Sequence, residues 1–177
     1  LDIVLERSQS LQTYSERYRT LQRLPEPKLE NIIWSDEIER VLVLYNEELQ
    51  KNNVEVVVEG DSLNENFKGD SWQMDQVFSN LLLNSIHAFE EKPIADKQIR
   101  IEVNSQNRNF VLKFIDNGVG IPEDSRANVF MPFYTTRESG SGIGLSVIKQ
   151  ILWKHNAEIF LKNRTDGTTF VIKFPKI

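Results

Sequence analysis

Apolar residues recur at helical spacing through the first 24 residues of the chain. The intervals are seven, three, four and three positions between Val4, Leu11, Tyr14, Tyr18 and Leu21. This pattern is the seam of a helix that packs against other helices, and most of the other residues in the segment are polar. We therefore predict a helix over residues 1–24 whose partner helix is supplied elsewhere, followed by a linker over residues 25–30 that Pro25 and Pro27 stiffen.

From residue 31 to residue 177 the pattern changes repeatedly between the helical and the strand period. Asp36 and Glu39 have the spacing of a capping box, which predicts a helix that runs to about Gln50. Two more helices are predicted over 71–91 and 143–155. Strands are predicted over 54–59, 98–104, 109–115, 157–163 and 168–174. This mixture predicts an α/β (α+β) two-layer sandwich, in which about three helices cover a mixed sheet of about five strands.

The composition fits one ordinary globular domain and removes several classes of function. The chain has 177 residues, a net charge of −5 and no cysteine. Disulfides, zinc–thiolate sites and thiol catalysis are excluded, and the charge gives no basic footprint for nucleic acid. No apolar run approaches the roughly 18 residues that span a bilayer. Because the chain begins at Leu1 rather than Met, we expect a fragment of a longer protein. We expect this domain in the cytoplasm and leave open a membrane anchor elsewhere in the parent.

Neutral polar residues form one stripe on the predicted helix over residues 71–91, which is otherwise largely apolar. The spacings are four, four and three positions between Gln76, Asn80, Asn84 and His87. Asparagine is a poor helix former, because its side chain competes for backbone hydrogen bonds. Amide oxygens suit Mg²⁺, which prefers oxygen ligands and retains several waters. Two interpretations stay open at this point: a lined pocket that holds a metal ion, or amides that satisfy each other and the backbone inside the core.

Two glycine-rich segments carry the other candidate chemistry. Residues 116–122, Asp-Asn-Gly-Val-Gly-Ile-Pro, follow a predicted strand, and a carboxylate there can accept a hydrogen bond from the exocyclic amine of adenine. Residues 140–145, Gly-Ser-Gly-Ile-Gly-Leu, open a predicted helix whose N-terminal N–H groups can bind phosphate. The second segment matches neither a dinucleotide-binding fingerprint nor a Walker A loop. Taken alone, the first segment could be a simple turn and the second a flexible hinge.

Together, these segments and their order resemble the ATP-binding domain of the sensor histidine kinases, in the GHKL superfamily, over about residues 30–177. The matching motifs are an N box at 76–88, a first glycine box at 116–120, an F box at 130–137, a second glycine box at 140–145 and a closing strand at 167–170. Residues 1–24 resemble the second helix of the dimerisation and phosphotransfer hairpin that precedes such domains. The implied ATP-binding domain covers residues 31–177.

The resemblance implies a site for ATP and Mg²⁺ built around the stripe. Asn84 would coordinate Mg²⁺, and Asn80 and His87 would contact the phosphates, so these three residues form the implied catalytic set. Asp116 would accept from the adenine amine, with Thr168 nearby. The other implied ATP-binding residues are Gly118, Gly120, Arg137, Gly140, Gly142, Gly144 and Leu145.

The resemblance also assigns tasks within that set. Gly118 and Gly120 would let the base approach, and Arg137 would contact the γ-phosphate. Residues 123–142 would form a mobile lid, which the glycines at 140, 142 and 144 would hinge while they line the phosphates. The chain departs from the usual motifs at two places: Ser85 stands where Ala is usual, and His155-Asn156-Ala157 where His-Gly-Gly is common.

The implied function is transfer of the γ-phosphoryl group of ATP to a histidine on the first helix of the hairpin, and then to an Asp of a response regulator. The chain has only His87 and His155, both inside the ATP-binding domain, so the acceptor is expected outside this fragment. The implied partners are that hairpin, a response regulator and a second copy of the full-length protein. The alternatives are a GHKL-type ATPase or serine kinase, which would carry Glu at the position of Asn80, and a non-catalytic ATP-binding scaffold.

Overall fold

The computed structural model describes residues 24–91, 94–137, 140–162, 164 and 166–176. Its helices are α1 (Trp34–Leu44), α2 (Asn46–Lys51), α3 (Ser71–Glu90), α4 (Glu123–Arg126) and α5 (Gly144–Lys154). Its strands are β1 (Glu30–Ile33), β2 (Val54–Glu59), β3 (Asn66–Gly69), β4 (Lys97–Gln106), β5 (Asn109–Asp116), β6 (Glu158–Lys162) and β7 (Thr168–Pro175). The predicted helix over residues 1–24 lies, apart from Leu24, outside the described residues.

The main sheet has five strands in the order β2-β4-β5-β7-β6. β2 pairs with β4 in parallel, whereas the β4–β5, β5–β7 and β6–β7 pairs are antiparallel. This confirms the predicted mixed sheet and the hairpin between β4 and β5. A second sheet of two strands joins β1 to β3 in antiparallel fashion.

One face of the main sheet carries the core. The strand register aligns Ile101 with Phe114, and Phe114 with Phe170, and all three side chains are buried. Residues between them on the strands face the other way, where Lys113 forms an ion pair with Glu102 at 2.6 Å. Because side chains alternate along a strand, the sheet has one apolar face for the helices and one polar face.

The start of the domain differs from the sequence prediction. Helix α1 begins at Trp34 with Ile33 as its N-cap, and no side chain caps it, so the capping box at Asp36 and Glu39 is wrong. The first N–H groups bond instead to backbone carbonyls of Leu63 and Glu65. Trp34 is fully buried and stacks on Phe67 of β3 at 3.7 Å between ring centroids, which fixes the helix start beside the small sheet.

Two further details escaped the sequence pattern. The single helix predicted to run to Gln50 is divided at Tyr45, where the backbone leaves helical geometry between α1 and α2. The short strands β1 and β3 were not predicted, because four residues are too few to show a period of two.

Helices α3 and α5 run antiparallel and lie side by side, and this pairing positions the candidate site. At one end, the N–H of Asp70 bonds to Nε2 of His155 at 3.0 Å. At the other end, Gly144 at the start of α5 lies against the side chain of Asn80. Within the described residues, no helix combines the length and apolar character needed to cross a bilayer.

Candidate nucleotide site

The stripe of amides on α3 faces the beginning of α5. Asn80 donates from Nδ2 to the carbonyl of Gln76 at 2.7 Å, which directs its Oδ1 toward α5. A Cβ atom on Gly144 would lie only 2.7 Å from that Oδ1, so this position accepts glycine without displacement of Asn80. The structure therefore brings together Asn80 and the second glycine box, which are far apart in the sequence.

Asn84 lies one turn further along α3 and contacts the segment predicted to form the lid. Its Oδ1 accepts a hydrogen bond from Nη2 of Arg137 at 3.0 Å. Its Nδ2 is buried and has no hydrogen-bond partner among the described residues. A guanidinium cation thus occupies the oxygen that the resemblance assigns to Mg²⁺, which indicates that this oxygen suits a cation.

The donor set around Asn84 fits Mg²⁺ of the kind that nucleotides carry. The described residues contain no group of three or more His, Cys, Asp or Glu that could hold a metal ion. Mg²⁺ commonly takes one or two protein oxygens and completes its octahedron with phosphate and water. The single amide oxygen of Asn84 therefore fits an ion that arrives with ATP rather than one held by the protein alone.

His87 follows on the same helix and is exposed. Gln76, Asn80 and Asn84 are half-buried, so the stripe emerges from the core toward its C-terminal end. The phosphate contact implied for His87 stays a prediction.

Asp116 ends β5 and pairs in register with Thr168, the first residue of β7. Its Oδ1 accepts from the N–H groups of Gly118 at 2.9 Å and Thr168 at 3.1 Å. Its Oδ2 accepts from Oγ of Ser85 at 3.1 Å. Burial raises the pKa of Asp116, and the hydrogen bonds from Gly118, Ser85 and Thr168 oppose this rise. The result is a fixed, buried acceptor at the end of two strands.

The glycines that follow Asp116 pack closely against the chain itself. A Cβ atom on Gly118 would lie 2.7 Å from Cβ of Ala88 on α3. Gly120 has a φ of +75°, and a Cβ atom there would lie 2.9 Å from the carbonyl oxygen of Gly167. Close packing within the chain therefore explains why glycine stands at both positions. The resemblance implies that the same glycines also leave room for the adenine base, and this stays a prediction.

The second glycine box connects the predicted lid to α5. Gly142 has a φ of +65°, and its carbonyl accepts from the N–H of Phe133 at 2.7 Å. Gly140 donates from its N–H to the carbonyl of Arg137 at 3.1 Å. The box thus holds the end of the F box in place, and Arg137 with it.

Helix α5 begins without a side-chain cap and without an acidic residue in its first turn. The N–H groups of a helix start carry partial positive charge and need acceptors, so this end of α5 suits a phosphate group. Leu145, in the same turn, is half-buried and packs against the core rather than pointing freely into the site.

Two rings of the F box, Phe130 and Phe133, pack against the hydrophobic core. Phe130 packs edge-on against Phe170 of β7 at 6.2 Å between centroids, and Nζ of Lys149 lies 5.7 Å from the same ring. The preceding residues contain the short helix α4 within the predicted lid. The mobility predicted for residues 123–142 stays a prediction.

The contacts of two site residues, Ser85 and Gly167, were not predicted from the sequence. Ser85 was noted only as a departure from Ala, yet it bonds to Asp116. Gly167 was given as the start of the closing-strand motif, yet it packs against Gly120 and against the backbone of Asp116. A hydroxyl on the buried side of an apolar helix was the available signal for Ser85.

Comparison with protein families identifies one match. The model for the family described as histidine kinase-, DNA gyrase B-, and HSP90-like ATPase matches residues 69–177. This range includes α3, both glycine boxes and the closing strand.

Two similar curated proteins come from bacteria. Nitrogen regulation protein NtrY of Azorhizobium caulinodans is 28% identical over 158 residues, which cover 86% of this chain and 20% of that protein. Sensor histidine kinase TmoS of Ectopseudomonas mendocina is 33% identical over 130 residues, which cover 71% of this chain and 13% of that protein. The chain therefore spans a fifth or less of the length of these two relatives.

Solved structures show the same architecture. The catalytic domain of histidine kinase ThkA, in a nucleotide-free form, has a TM-score of 0.74 at 28% identity and covers 84% of this chain and 96% of that one. ThkA in complex with the response regulator protein TrrA has a TM-score of 0.78 at 24% identity, with 99% of this chain and 50% of that one covered, which is a likeness of fold. The chain therefore belongs to the histidine kinase-, DNA gyrase B- and HSP90-like ATPase family, and its domain is a catalytic domain of the histidine kinase type.

Proposed function

We propose that this chain binds ATP with Mg²⁺ for a sensor histidine kinase and transfers the γ-phosphoryl group to a histidine outside the chain. The observation that carries the proposal is the contact of Asn80 with the uncapped start of α5, one helical turn from Asn84 and its bond from Arg137. Two amide oxygens, the N–H groups of a helix start and the guanidinium of Arg137 converge there, which supports a magnesium–triphosphate site.

Each group has a distinct task in this proposal. Asn84 holds Mg²⁺ through Oδ1, and the ion neutralises charge on the phosphates when it is bound. The start of α5 binds phosphate oxygens, and Arg137 leaves Asn84 to contact the γ-phosphate. Asp116, with Thr168 beside it, accepts from the exocyclic amine of adenine, which favours ATP over GTP.

Asn80 supports a kinase over a hydrolase. Hydrolysis requires a base that orients and deprotonates water, and an amide cannot take that role. The Nδ2 of Asn80 is moreover bonded to the carbonyl of Gln76, which fixes its orientation. An imidazole acceptor is itself a good nucleophile, so the domain mainly has to position the phosphate and stabilise its charge.

The histidines of the chain support an acceptor located elsewhere. Both ring nitrogens of His155 are engaged inside the protein, with the N–H of Asp70 and the carbonyl of Ile151. His87 lies on the same helix as Asn84, and the proposal gives it a contact with phosphate oxygens rather than the role of acceptor. We therefore propose a parent chain that works as a homodimer in the cytoplasm, with an acceptor hairpin whose second helix is residues 1–24 and a response regulator as the next acceptor. The complex of ThkA with TrrA supports that last partner.

Incubation with γ-labelled ATP and Mg²⁺ tests this function. We expect no label on this chain alone, and acid-labile, base-stable label when the parent's hairpin is added. Label should disappear with a hairpin whose acceptor His is replaced by Gln, and with Asn84→Ala in this chain. Sustained phosphate release without the hairpin would instead indicate an ATPase, acid-stable label a serine kinase, and ATP binding without transfer a scaffold.

A further inference from the structure

A hydrogen bond between two nearly inaccessible side chains lies at the inner end of the nucleotide site. Ser85 is 2% exposed and Asp116 is 3% exposed. The Oγ of Ser85 lies 3.1 Å from Oδ2 of Asp116 and donates to it. Because Ser85 directly follows Asn84, the same turn of α3 carries the proposed metal ligand and contacts the proposed adenine acceptor.

The two oxygens of the Asp116 carboxylate have different partners. Both backbone donors, the N–H groups of Gly118 and Thr168, bond to Oδ1. Oδ2 accepts from Ser85 and receives no backbone N–H among the described contacts. The side chain of Thr168 also hydrogen-bonds to the Asp116 carboxylate. A carboxylate oxygen accepts about two hydrogen bonds, so Oδ1 is filled by its two N–H donors and we expect the amine of a ligand at Oδ2.

We propose that Ser85 is a positioning residue for base recognition: its hydroxyl holds Oδ2 of Asp116 in the orientation that accepts the exocyclic amine of adenine. The inference rests on the proposed function, in which Asp116 accepts that amine. It adds a residue that the usual motif does not provide, because Ala, which stands there in the usual motif, has no donor.

The physical reason is preorganisation of a charged acceptor. A hydroxyl that donates to a carboxylate makes a charge-assisted bond and restricts rotation of the carboxylate about its terminal torsion. Without that donor, the carboxylate keeps the two N–H bonds on Oδ1 and the side-chain bond from Thr168, but it loses the hydroxyl of Ser85 that holds Oδ2 before ATP arrives. The loss should therefore appear only with ligands that offer an amine to Oδ2.

The test compares ATP with purine riboside triphosphate, which has hydrogen in place of the amine. Affinities for both nucleotides with Mg²⁺ are measured by calorimetry for the parent chain, Ser85→Ala, Ser85→Cys and Asp116→Asn. The Cys variant keeps a similar shape with a weaker donor. Ser62→Ala is the matched control, because Ser62 is fully buried and its Oγ lies 2.8 Å from carboxylate oxygens of Asp61 and Glu65, outside the site.

We expect Ser85→Ala to weaken ATP binding by about 5- to 20-fold and to change binding of the amine-free nucleotide by less than about twofold. Ser85→Cys should fall between the parent chain and Ser85→Ala for ATP. Ser62→Ala should leave both affinities unchanged. An equal loss for both nucleotides in Ser85→Ala would show that Ser85 acts through helix packing, and no loss for either would show that it has no role; both results overturn the inference.

Asp116→Asn separates this inference from the proposed function. If Asp116 recognises the amine, this variant reduces the preference for ATP over the amine-free nucleotide. If the preference is unchanged in Asp116→Asn, the proposed role of Asp116 fails, and the inference fails with it. If the preference falls in Asp116→Asn but not in Ser85→Ala, only the inference about Ser85 fails.

Discussion

Each end of the α3–α5 helix pair carries a buried amide side chain, but the two amides contact different segments of the chain. At the linker end, Gln73 donates from Nε2 to the carbonyl of Pro25 at 3.0 Å, while its buried Oε1 has no partner among the described residues. At the nucleotide end, Asn84 accepts from Arg137, while its buried Nδ2 has no partner within the described part of the chain. Each amide therefore contacts a neighbouring segment through one atom only.

The linker end has many additional bonds. Nζ of Lys154 donates to the carbonyls of Leu24 at 3.1 Å and Pro25 at 3.4 Å, and it pairs with Glu26 at 2.6 Å. Asp70 caps α3 through Gln73 and accepts from the N–H of Lys28 at 2.8 Å.

At the nucleotide end, the described contact from the lid to Asn84 is the single bond from Arg137. The start of α5 has no side-chain cap there. Each end thus keeps one buried amide atom without a partner among the described residues, but the linker end is joined by several further bonds and the nucleotide end by few, which is the arrangement expected if a ligand completes the second end.

The largest effect we expect is the loss of Mg-ATP binding in Asn84→Ala. Removal of the amide oxygen takes away the protein ligand of the ion, which should weaken Mg-ATP binding by about 100-fold. The free energy of unfolding should change little, because the variant also removes an unsatisfied buried Nδ2. Calorimetric titrations with and without Mg²⁺, together with urea unfolding, measure both quantities. Parent-like affinity in Asn84→Ala would exclude this residue as the metal ligand.

At the linker end, the next effect is a dependence of stability on pH. Burial raises the pKa of Glu37 to about 7, an effect that the nearby Arg40 reduces. The folded chain then keeps this proton up to about pH 7, while the unfolded chain loses it near pH 4.5. The contribution of Glu37 to stability is thus complete below pH 4.5 and falls as the pH rises to 7, by on the order of 3 kcal/mol.

Urea unfolding of the parent chain and Glu37→Gln at several pH values measures this effect, since Gln cannot lose a proton. We expect Glu37→Gln to gain stability relative to the parent chain between pH 5 and pH 7.5, and parallel curves would contradict the assignment. His155 provides a check of opposite sign, because burial lowers its pKa. Its contribution is present above the unfolded value of 6.5 and is lost as the pH falls, so His155→Gln should remove a slope in the other direction.

A smaller effect at the linker end is expected from Lys154→Met. The variant keeps the length of the side chain but removes the donor to the carbonyls of Leu24 and Pro25. We expect a loss of about 1 kcal/mol in the free energy of unfolding, with unchanged affinity for Mg-ATP. Lys149→Met on the same helix is the control for charge, since Lys149 lies over the ring of Phe130 instead. A change in ATP affinity in Lys154→Met alone would show that the two ends are coupled.

The sequence offered more candidate residues at the nucleotide end than at the linker end, for a physical reason. Asparagines on an apolar helix and glycines at a helix start are unfavourable locally, so they stand out as positions that helix formation alone does not explain. The linker end uses ordinary residues whose roles depend on distant partners, such as Lys154 with Leu24. The departure at His155-Asn156-Ala157 is explained only by the structure: Asn156 adopts a φ of 54°, the left-handed geometry that Gly commonly takes after a helix.

Elements that local residues determine matched the prediction, whereas elements that depend on distant contacts did not. The bounds of β2 and the start of α3 matched because a β-branched run and Asp70 as a cap act locally. The start of α1 did not match, since Trp34 is held by its stacking on Phe67, a contact between segments far apart in the chain. Local chemistry is visible in a sequence, whereas the partners of a buried ring are not.

The smallest effect we expect concerns Arg137, and it should differ in sign between two nucleotides. In the structure Arg137 occupies Oδ1 of Asn84, so it competes with Mg²⁺ for that oxygen. With ATP, the guanidinium gains the γ-phosphate as a new partner, so Arg137→Ala should weaken Mg-ATP binding by about threefold to tenfold. With ADP there is no γ-phosphate to compensate, so removal of the competing cation should strengthen Mg-ADP binding, by less than about threefold.

Arg126→Ala is the matched control, because Arg126 bonds to the carbonyls of Ile121 and Arg164 instead of Asn84. Calorimetric titration of both nucleotides decides the point: equal losses for ATP and ADP would show that Arg137 binds a phosphate common to both and does not compete with the ion.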